Sequence, residues 1–200
     1  MADPIAFYFD FSSPYAYLAS ERIEAIADQV GRPIHWKPIL LGQTFKETGS
    51  QPLLHIPLKG DYARRDLERS ARQYGIPYAL PSNFPFASLA PSRAVYWAEE
   101  HSPQLTGLLV HALFRAAWQQ DRNIAAREGT LAVAGEVGLD AAALAEGLQD
   151  PALKARLHRE VEESVALGVC GAPYMLVDGE AFWGNDRLET LAAWVSTGGW

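Results

Sequence analysis

Ser13 is the first residue whose type and place suggest chemistry. It closes the apolar run Ile5 to Phe11 and precedes Pro14 in the stretch FDFSSPY, so its hydroxyl stands where a strand should end and a helix begin. Free backbone N–H groups and the helix dipole favour negative charge at such a point, and a hydroxyl there can donate to a bound anion. The serine is not equipped as a nucleophile. No histidine and acid stand at a fixed spacing to activate it, and its surroundings are not GxSxG. On local pattern alone, helix capping is the plainer role, with Ser12 competing for it. A second place is Gly171-Ala172-Pro173-Tyr174, just before a strand. A proline there cannot donate to a sheet ladder. In the cis form it would leave the preceding N–H and C=O to a peptide-like ligand, but an ordinary trans strand entry is the plainer expectation. The third is Asp186-Arg187, read locally as a cap of the last helix and a charge on its wet face.

Other chemistry is thinly supplied. The single cysteine, Cys170, excludes an intramolecular disulfide and a thiolate-only metal site, and is expected to be a small buried hydrophobe. His35, His55, His101, His111 and His158 are dispersed, without metal-ligand spacing, and read as surface or structural residues. There is no P-loop and no dinucleotide fingerprint. Seventeen basic against twenty-four acidic residues, a net charge of -7, argue against a nucleic-acid surface. No 18-residue apolar run exists, so no spanning helix is expected. The opening MADPIAFYFDFSS lacks a basic leader, and a reducing cytoplasm is the expected compartment. The pairs Glu99-Glu100, Glu162-Glu163 and Arg64-Arg65 read as solvated helix faces.

The elements that must position these residues follow from period and punctuation. Ile5 to Phe11 reads as a buried strand. Behind Pro14, Ala19, Ile23, Ile26 and Val30 mark the buried face of a helix that Gly31 stops. Pro33 to Pro38 is a second strand, and the β-α-β opening favours right-handed parallel pairing. Residues 42 to 60 read as a Gly/Pro-punctuated connection. Helical signals dominate from Asp61: one stripe at Leu67, Ala71 and Tyr74, another from Leu89 to Trp97, and a strong third from Leu105 to Ala116. A further helix or pair spans about 129 to 148, and Pro151 opens one running to about Leu167. Tyr174 to Val177 and Ala181 to Trp183 form a hairpin across Asp178-Gly179. A terminal helix carries Leu188, Leu191, Ala192 and Val195. Only the two ends build a sheet, so the sheet domain must be discontinuous.

These motifs together carry a family resemblance. FYFDFSSPYAYLA (7–19), WKPILLGQTF (36–45), KGDYARRDLERSA (59–71), FPF (84–86) and GVCGAPYMLVDGEAFWGNDRL (168–188) stand in an order that resembles the 2-hydroxychromene-2-carboxylate isomerases and the related kappa-class glutathione transferases, within the DsbA and thioredoxin superfamily. The resemblance implies an α/β thioredoxin-like domain, residues 1–41 and 129–200, split by an all-helical insertion at 42–128. The superfamily's Cys-x-x-Cys window falls on Ser13-Pro14-Tyr15-Ala16. Dithiol exchange there is excluded, and the reactive sulfur is expected from glutathione. By the same resemblance Ser13 hydrogen-bonds that sulfur, the Ala172 backbone beside Pro173 holds the cysteinyl amide, and Asp186 with Arg187 anchors the γ-glutamyl end. Lys59 and Tyr62 match positions near the bound ligand or its glycyl end, and Lys46 and Arg93 are candidates to meet a substrate carboxylate. The family asparagines are missing from TGSQP (48–52) and at Ala87, and Cys170 replaces a common aromatic. The implied reaction is isomerisation of 2-hydroxychromene-2-carboxylate, or a polycyclic analogue, to trans-o-hydroxybenzylidenepyruvate. Hemiketal opening exposes an enone, to which thiolate adds reversibly. A homodimer in the cytoplasm, serving aromatic catabolism such as naphthalene breakdown, is implied too. A kappa-type transferase or peroxidase, and a noncatalytic thioredoxin-like binding protein, are the alternatives.

Overall fold

The computed structural model describes residues 3–200; Met1 and Ala2, which the expected segment 1–41 includes, lie outside the described residues. Strand β1 (Ile5–Phe9) has Ile5, Phe7 and Phe9 wholly buried, as its unbroken apolar run requires. Helix α1 (Pro14–Val30) follows within four residues and ends at Gly31, burying Leu18, Ala19, Ile23 and Ala27. Strand β2 (Ile34–Pro38) then pairs parallel with β1, with Phe7 opposite Trp36.

The other two strands come from the far end of the chain. β3 (Tyr174–Val177) lies antiparallel to β1, with Phe7 opposite Met175, and β4 (Glu180–Trp183) pairs with β3. The sheet order is β2-β1-β3-β4. Asp178 and Gly179 both take positive φ, +51° and +82°, in the turn between β3 and β4, as a two-residue hairpin closing with the strand twist demands.

Between the two halves of the sheet run helices α2 (Leu41–Thr48), α3 (Lys59–Tyr74), α4 (Leu89–His101), α5 (Thr106–Trp118), α6 (Arg127–Glu136), α7 (Ala141–Gly147) and α8 (Pro151–Ala166), and α9 (Leu188–Thr197) closes the chain. The chain has the α/β thioredoxin-like fold with an inserted helical region. Two buried side chains pin that region to the sheet. The fully buried Trp118 of α5 donates from Nε1 to the Phe11 carbonyl at 2.9 Å, beneath the turn that carries Ser13. Tyr96 of α4 donates to the Pro38 carbonyl at the end of β2, also at 2.9 Å.

Several expectations need correction. Residues 42–60 are not merely a connection: most of α2, a 3-10 turn at Leu53–His55 and the start of α3 fall in them. The first amide of α2 is bound by Asp10 from another part of the chain, a stabilisation invisible to local pattern. The Ala172-Pro173 peptide is cis rather than trans. Asp186 does not cap the last helix; Asn185–Arg187 form a 3-10 turn and α9 begins at Leu188 without a side-chain cap. Glu99 is not simply solvated, because His35 and Arg156 bind its two oxygens and together hold its carboxyl below the usual range despite burial. Cys170 is half-buried and faces a cleft.

Candidate active site

Ser13 caps α1. Its Oγ accepts the Ala16 N–H at 3.2 Å, and Pro14 fills the first helical position without an orphaned donor. The first N–H of the helix therefore belongs to Tyr15. Ser13 is only 5% exposed, and its hydroxyl proton is directed at a single acceptor, the Ala172 carbonyl, at 2.9 Å. Residues 159 apart in sequence thus meet at one point. Capping and site-building are compatible: the oxygen serves the helix while the proton serves the Pro173 loop. The hydroxyl retains a second lone pair, and so does the carbonyl.

The turn before Ser13 is built on a buried charge. Asp10 is 3% exposed. Its Oδ1 accepts from the Ser12 N–H and the Ser12 hydroxyl, each at 2.8 Å, and its Oδ2 accepts from Leu41 N–H at 2.7 Å. Its carbonyl accepts the Ser13 N–H. One residue thereby fixes the Ser13 turn and the start of α2 together. Burial pushes the Asp10 carboxyl up, against the Leu41 and Ser12 amides and then the Ser88 and Ser12 hydroxyls. Ser88 Oγ lies beside the carboxylate without a well-aligned hydrogen bond.

Ser13 opens onto a cleft of about 750 Å³, a volume in the range of small-molecule sites. One end is polar, formed by Ser12, Ser13, Ala172, Pro173, Asp186 and Arg187. Gly184 shapes it: φ is +120°, and a Cβ there would lie 2.5 Å from Asp186 Oδ1. Trp183 packs so closely on Gly171 that a Cβ would come within 2.6 Å of its Nε1. Asp186 and Arg187 face each other at 3.3 Å with side chains 71% and 53% exposed, a loose pair free to exchange partners. The lining also has an apolar part, with Phe45, Leu53, Leu54, Ile56 and Phe84. Tyr62 lies in the cleft wall, and Tyr15 there donates to Asp66 of α3 at 2.9 Å.

The structure brings together Ser13, Tyr62, Ala172, Pro173, Asp186 and Arg187. Lys46, Lys59 and Arg93 are not among the residues lining the cleft. Lys46 and Lys59 are exposed on α2 and α3, and Arg93 is half-buried on α4 with Nε lacking a partner. Sequence reasoning missed Asp10, Tyr15, Asp66 and the apolar wall. The acid inside the aromatic run FYFDF was the available signal for Asp10; Asp66 sits among charges and carried none. Among the described residues no cluster of three or more metal-ligating side chains occurs.

A model of the DSBA-like thioredoxin domain matches residues 4–195. A 2-hydroxychromene-2-carboxylate isomerase of Sphingobium xenophagum is 30% identical, the match covering 98% of this chain and 99% of the relative. The chain belongs to the DSBA-like thioredoxin-domain family, among its 2-hydroxychromene-2-carboxylate isomerases. A solved structure of a 2-hydroxychromene-2-carboxylate isomerase superposes on this family member with a TM-score of 0.84 at 30% identity, covering 97% of this chain and 94% of that one. Homo sapiens glutathione S-transferase kappa 1 is 26% identical, with 94% of this chain and 88% of that protein covered. No residue from Ser13 to Tyr17 carries sulfur, leaving the helix N-terminus without a thiol of its own.

Proposed function

We propose that the protein is a glutathione-dependent isomerase acting on 2-hydroxychromene-2-carboxylate or a related ring-fused analogue and giving the trans-o-hydroxybenzylidenepyruvate type of product. The observation that carries this reading is the meeting of Ser13 and Ala172 at the polar end of the cleft. The donor set there fits glutathione. Asp186 suits an α-ammonium and Arg187 a carboxylate, so the pair complements both charges of a γ-glutamyl group. The Ala172 carbonyl keeps a lone pair for an amide N–H, and the Ser13 hydroxyl and Tyr15 amide are positioned as donors.

When bound, glutathione supplies a thiolate able to add reversibly to a conjugated double bond. The chain's part is to make that charge cheap and to hold the reactants. Ser13 turns its proton from Ala172 towards the sulfur while its oxygen keeps the helix cap. The first turn of α1 carries no acidic side chain, so its dipole acts unopposed from within the helix. Ala172 and Pro173 fix the peptide portion, and Asp186 with Arg187 its charged end. Tyr62, which lines the cleft, is assigned to the far end of the ligand, and Lys59 at the start of α3 is placed there on the family resemblance alone. The apolar wall of Phe45, Leu53 and Phe84 takes the aromatic body and excludes water. Lys46 and Arg93 remain candidates for the substrate carboxylate, without support from the cleft lining. A homodimer in the cytoplasm belongs to the same proposal and rests on the family resemblance. Among the described residues no helix is long and apolar enough to cross a membrane.

The test is to incubate the protein with 2-hydroxychromene-2-carboxylate, with and without glutathione. Glutathione-dependent trans product with full recovery of free thiol is the expected result. Accumulation of a stable thioether would make it a kappa-type transferase, and failure to bind glutathione together with peptide binding at the Pro173 loop would make it a noncatalytic thioredoxin-like binding protein.

A further inference from the structure

The side chains of Tyr15 and Asp66 form a second polar pair in the cleft, apart from the side chains assigned to glutathione. Tyr15 is two residues beyond Ser13, on the first turn of α1, and Asp66 projects from the middle of α3. Both line the cleft. Tyr15 Oη donates to Asp66 Oδ2 at 2.9 Å, and Asp66 Oδ1 accepts from Arg69 at 2.6 Å. The phenol proton is therefore committed to Asp66, and the phenol oxygen is left as an acceptor. Arg69 is exposed, with 56% of its side chain accessible, so the pair runs from the cleft towards solvent. Burial and Asp66 together push the Tyr15 phenol well above its ordinary value. It stays neutral and passes a proton only by receiving another.

The proposed reaction needs such a relay. In the cyclic hemiketal the double bond is held by the ring and cannot rotate until the ring opens. Opening requires loss of the hemiketal O–H proton.

Building on the isomerase reading, we propose that Tyr15 and Asp66 are the catalytic base relay for ring opening. The hemiketal proton moves to Tyr15 Oη while the Tyr15 proton moves to Asp66 Oδ2. The electron pair of the hemiketal O–H bond forms the ketone, and the ring C–O bond breaks with its pair going to the aromatic oxygen. That phenolate takes a proton from water, and Asp66 returns its own to water, so no proton is consumed overall. Tyr15 keeps its charge state throughout.

The test measures ring opening alone. Wild type, Tyr15→Phe and Asp66→Asn are each mixed with 2-hydroxychromene-2-carboxylate in S-methylglutathione, which occupies the cleft without offering a thiol. Exchange between ring and open forms is followed by NMR. Asp66→Asn retains a carbonyl oxygen to accept the Tyr15 hydroxyl, so it keeps the tether between α1 and α3 but cannot take the proton. Wild type is expected to accelerate exchange, and both variants to lose about 100-fold or more of that acceleration, the lower range for general-base catalysis. Melting temperature and glutathione affinity, read by calorimetry, should stay near wild type in Asp66→Asn. Equal exchange in all three proteins, with wild type still isomerising in glutathione, overturns the relay and leaves the isomerase reading standing. Absence of both activities in wild type overturns both.

Discussion

Ser13 does two jobs with one hydroxyl, and its replacement should separate them. Ser13→Ala removes the acceptor of the Ala16 N–H, for a loss of about 1 kcal/mol, or roughly 2–4 °C in melting temperature for a chain of this length. A drop above about 10 °C would mean that the bond to Ala172 organises far more of the fold than one cap. Asp10 offers a sharper test because its charge is buried. Its folded pKa is raised, so the native state holds that proton more tightly than the unfolded chain. Stability is then lost as pH rises from the ordinary value of 3.8 through the raised folded value. Asp10→Asn carries no such charge. Wild-type stability minus variant stability should fall across that window in urea titrations, and a constant difference would show that Asp10 is not penalised by burial. At this scale the sequence was readable where function coincides with local structure. Ser13 announced itself through the strand before it and Pro14 after it. Asp66 did not, because a carboxylate in RRDLER looks like any wet helix face until α1 is seen across the cleft.

Among the elements, α1 is the hinge of the arrangement, packed against α5 and α9 and facing α3. Its junction with α5 holds a charge cluster around a buried imidazole. His111 is 8% exposed, with Nε2 3.1 Å from Glu24 and Nδ1 3.9 Å from Glu21; neither ring nitrogen is aligned for a true hydrogen bond. Burial pushes the imidazole down, but Glu21 and Glu24 outweigh it and hold the folded pKa above the ordinary 6.5. The stabilisation is therefore complete below 6.5 and is lost as pH rises through the higher folded value. Wild type should lose urea resistance over that interval, and His111→Gln should flatten the slope; an unchanged slope would place the titration elsewhere. The cap and stop of α1 made it legible from sequence, and Pro151 did the same for α8. α2 was not, since Gly42, Thr44 and Thr48 weaken its local signal and its first amide is satisfied by Asp10, 31 residues away. The setting of Pro173 was likewise hidden, because the Ala172 carbonyl before it meets Ser13, 159 residues away in sequence.

For the whole molecule, a sheet assembled from both ends of the chain makes the cleft a junction, lined both by residues flanking the sheet, such as Ser13, Ala172 and Arg187, and by residues of the inserted region, such as Phe45, Leu53 and Asp66. Alternation and turn residues exposed that discontinuity in the sequence, but which cations reach the cleft depended on helix rotation. Of the four cations singled out from the sequence, Arg187 lines the cleft, whereas Lys46, Lys59 and Arg93 do not. A ligand bridging this junction must stabilise the folded state. Glutathione at 100 times its dissociation constant should add about 2.7 kcal/mol. Arg187→Ala should weaken binding about 10- to 100-fold, the cost of losing a charged hydrogen bond; calorimetric titration showing unaltered affinity would remove Arg187 from the site. Catalysis of the proposed kind requires the sulfur to be held at the start of α1. The direct measurement is the thiol pKa of protein-bound glutathione, read from thiolate absorbance against pH in wild type and Ser13→Ala. A value below that of free glutathione in wild type, moving back towards it in the variant, is the predicted result. A wild-type value equal to that of the free tripeptide would contradict it.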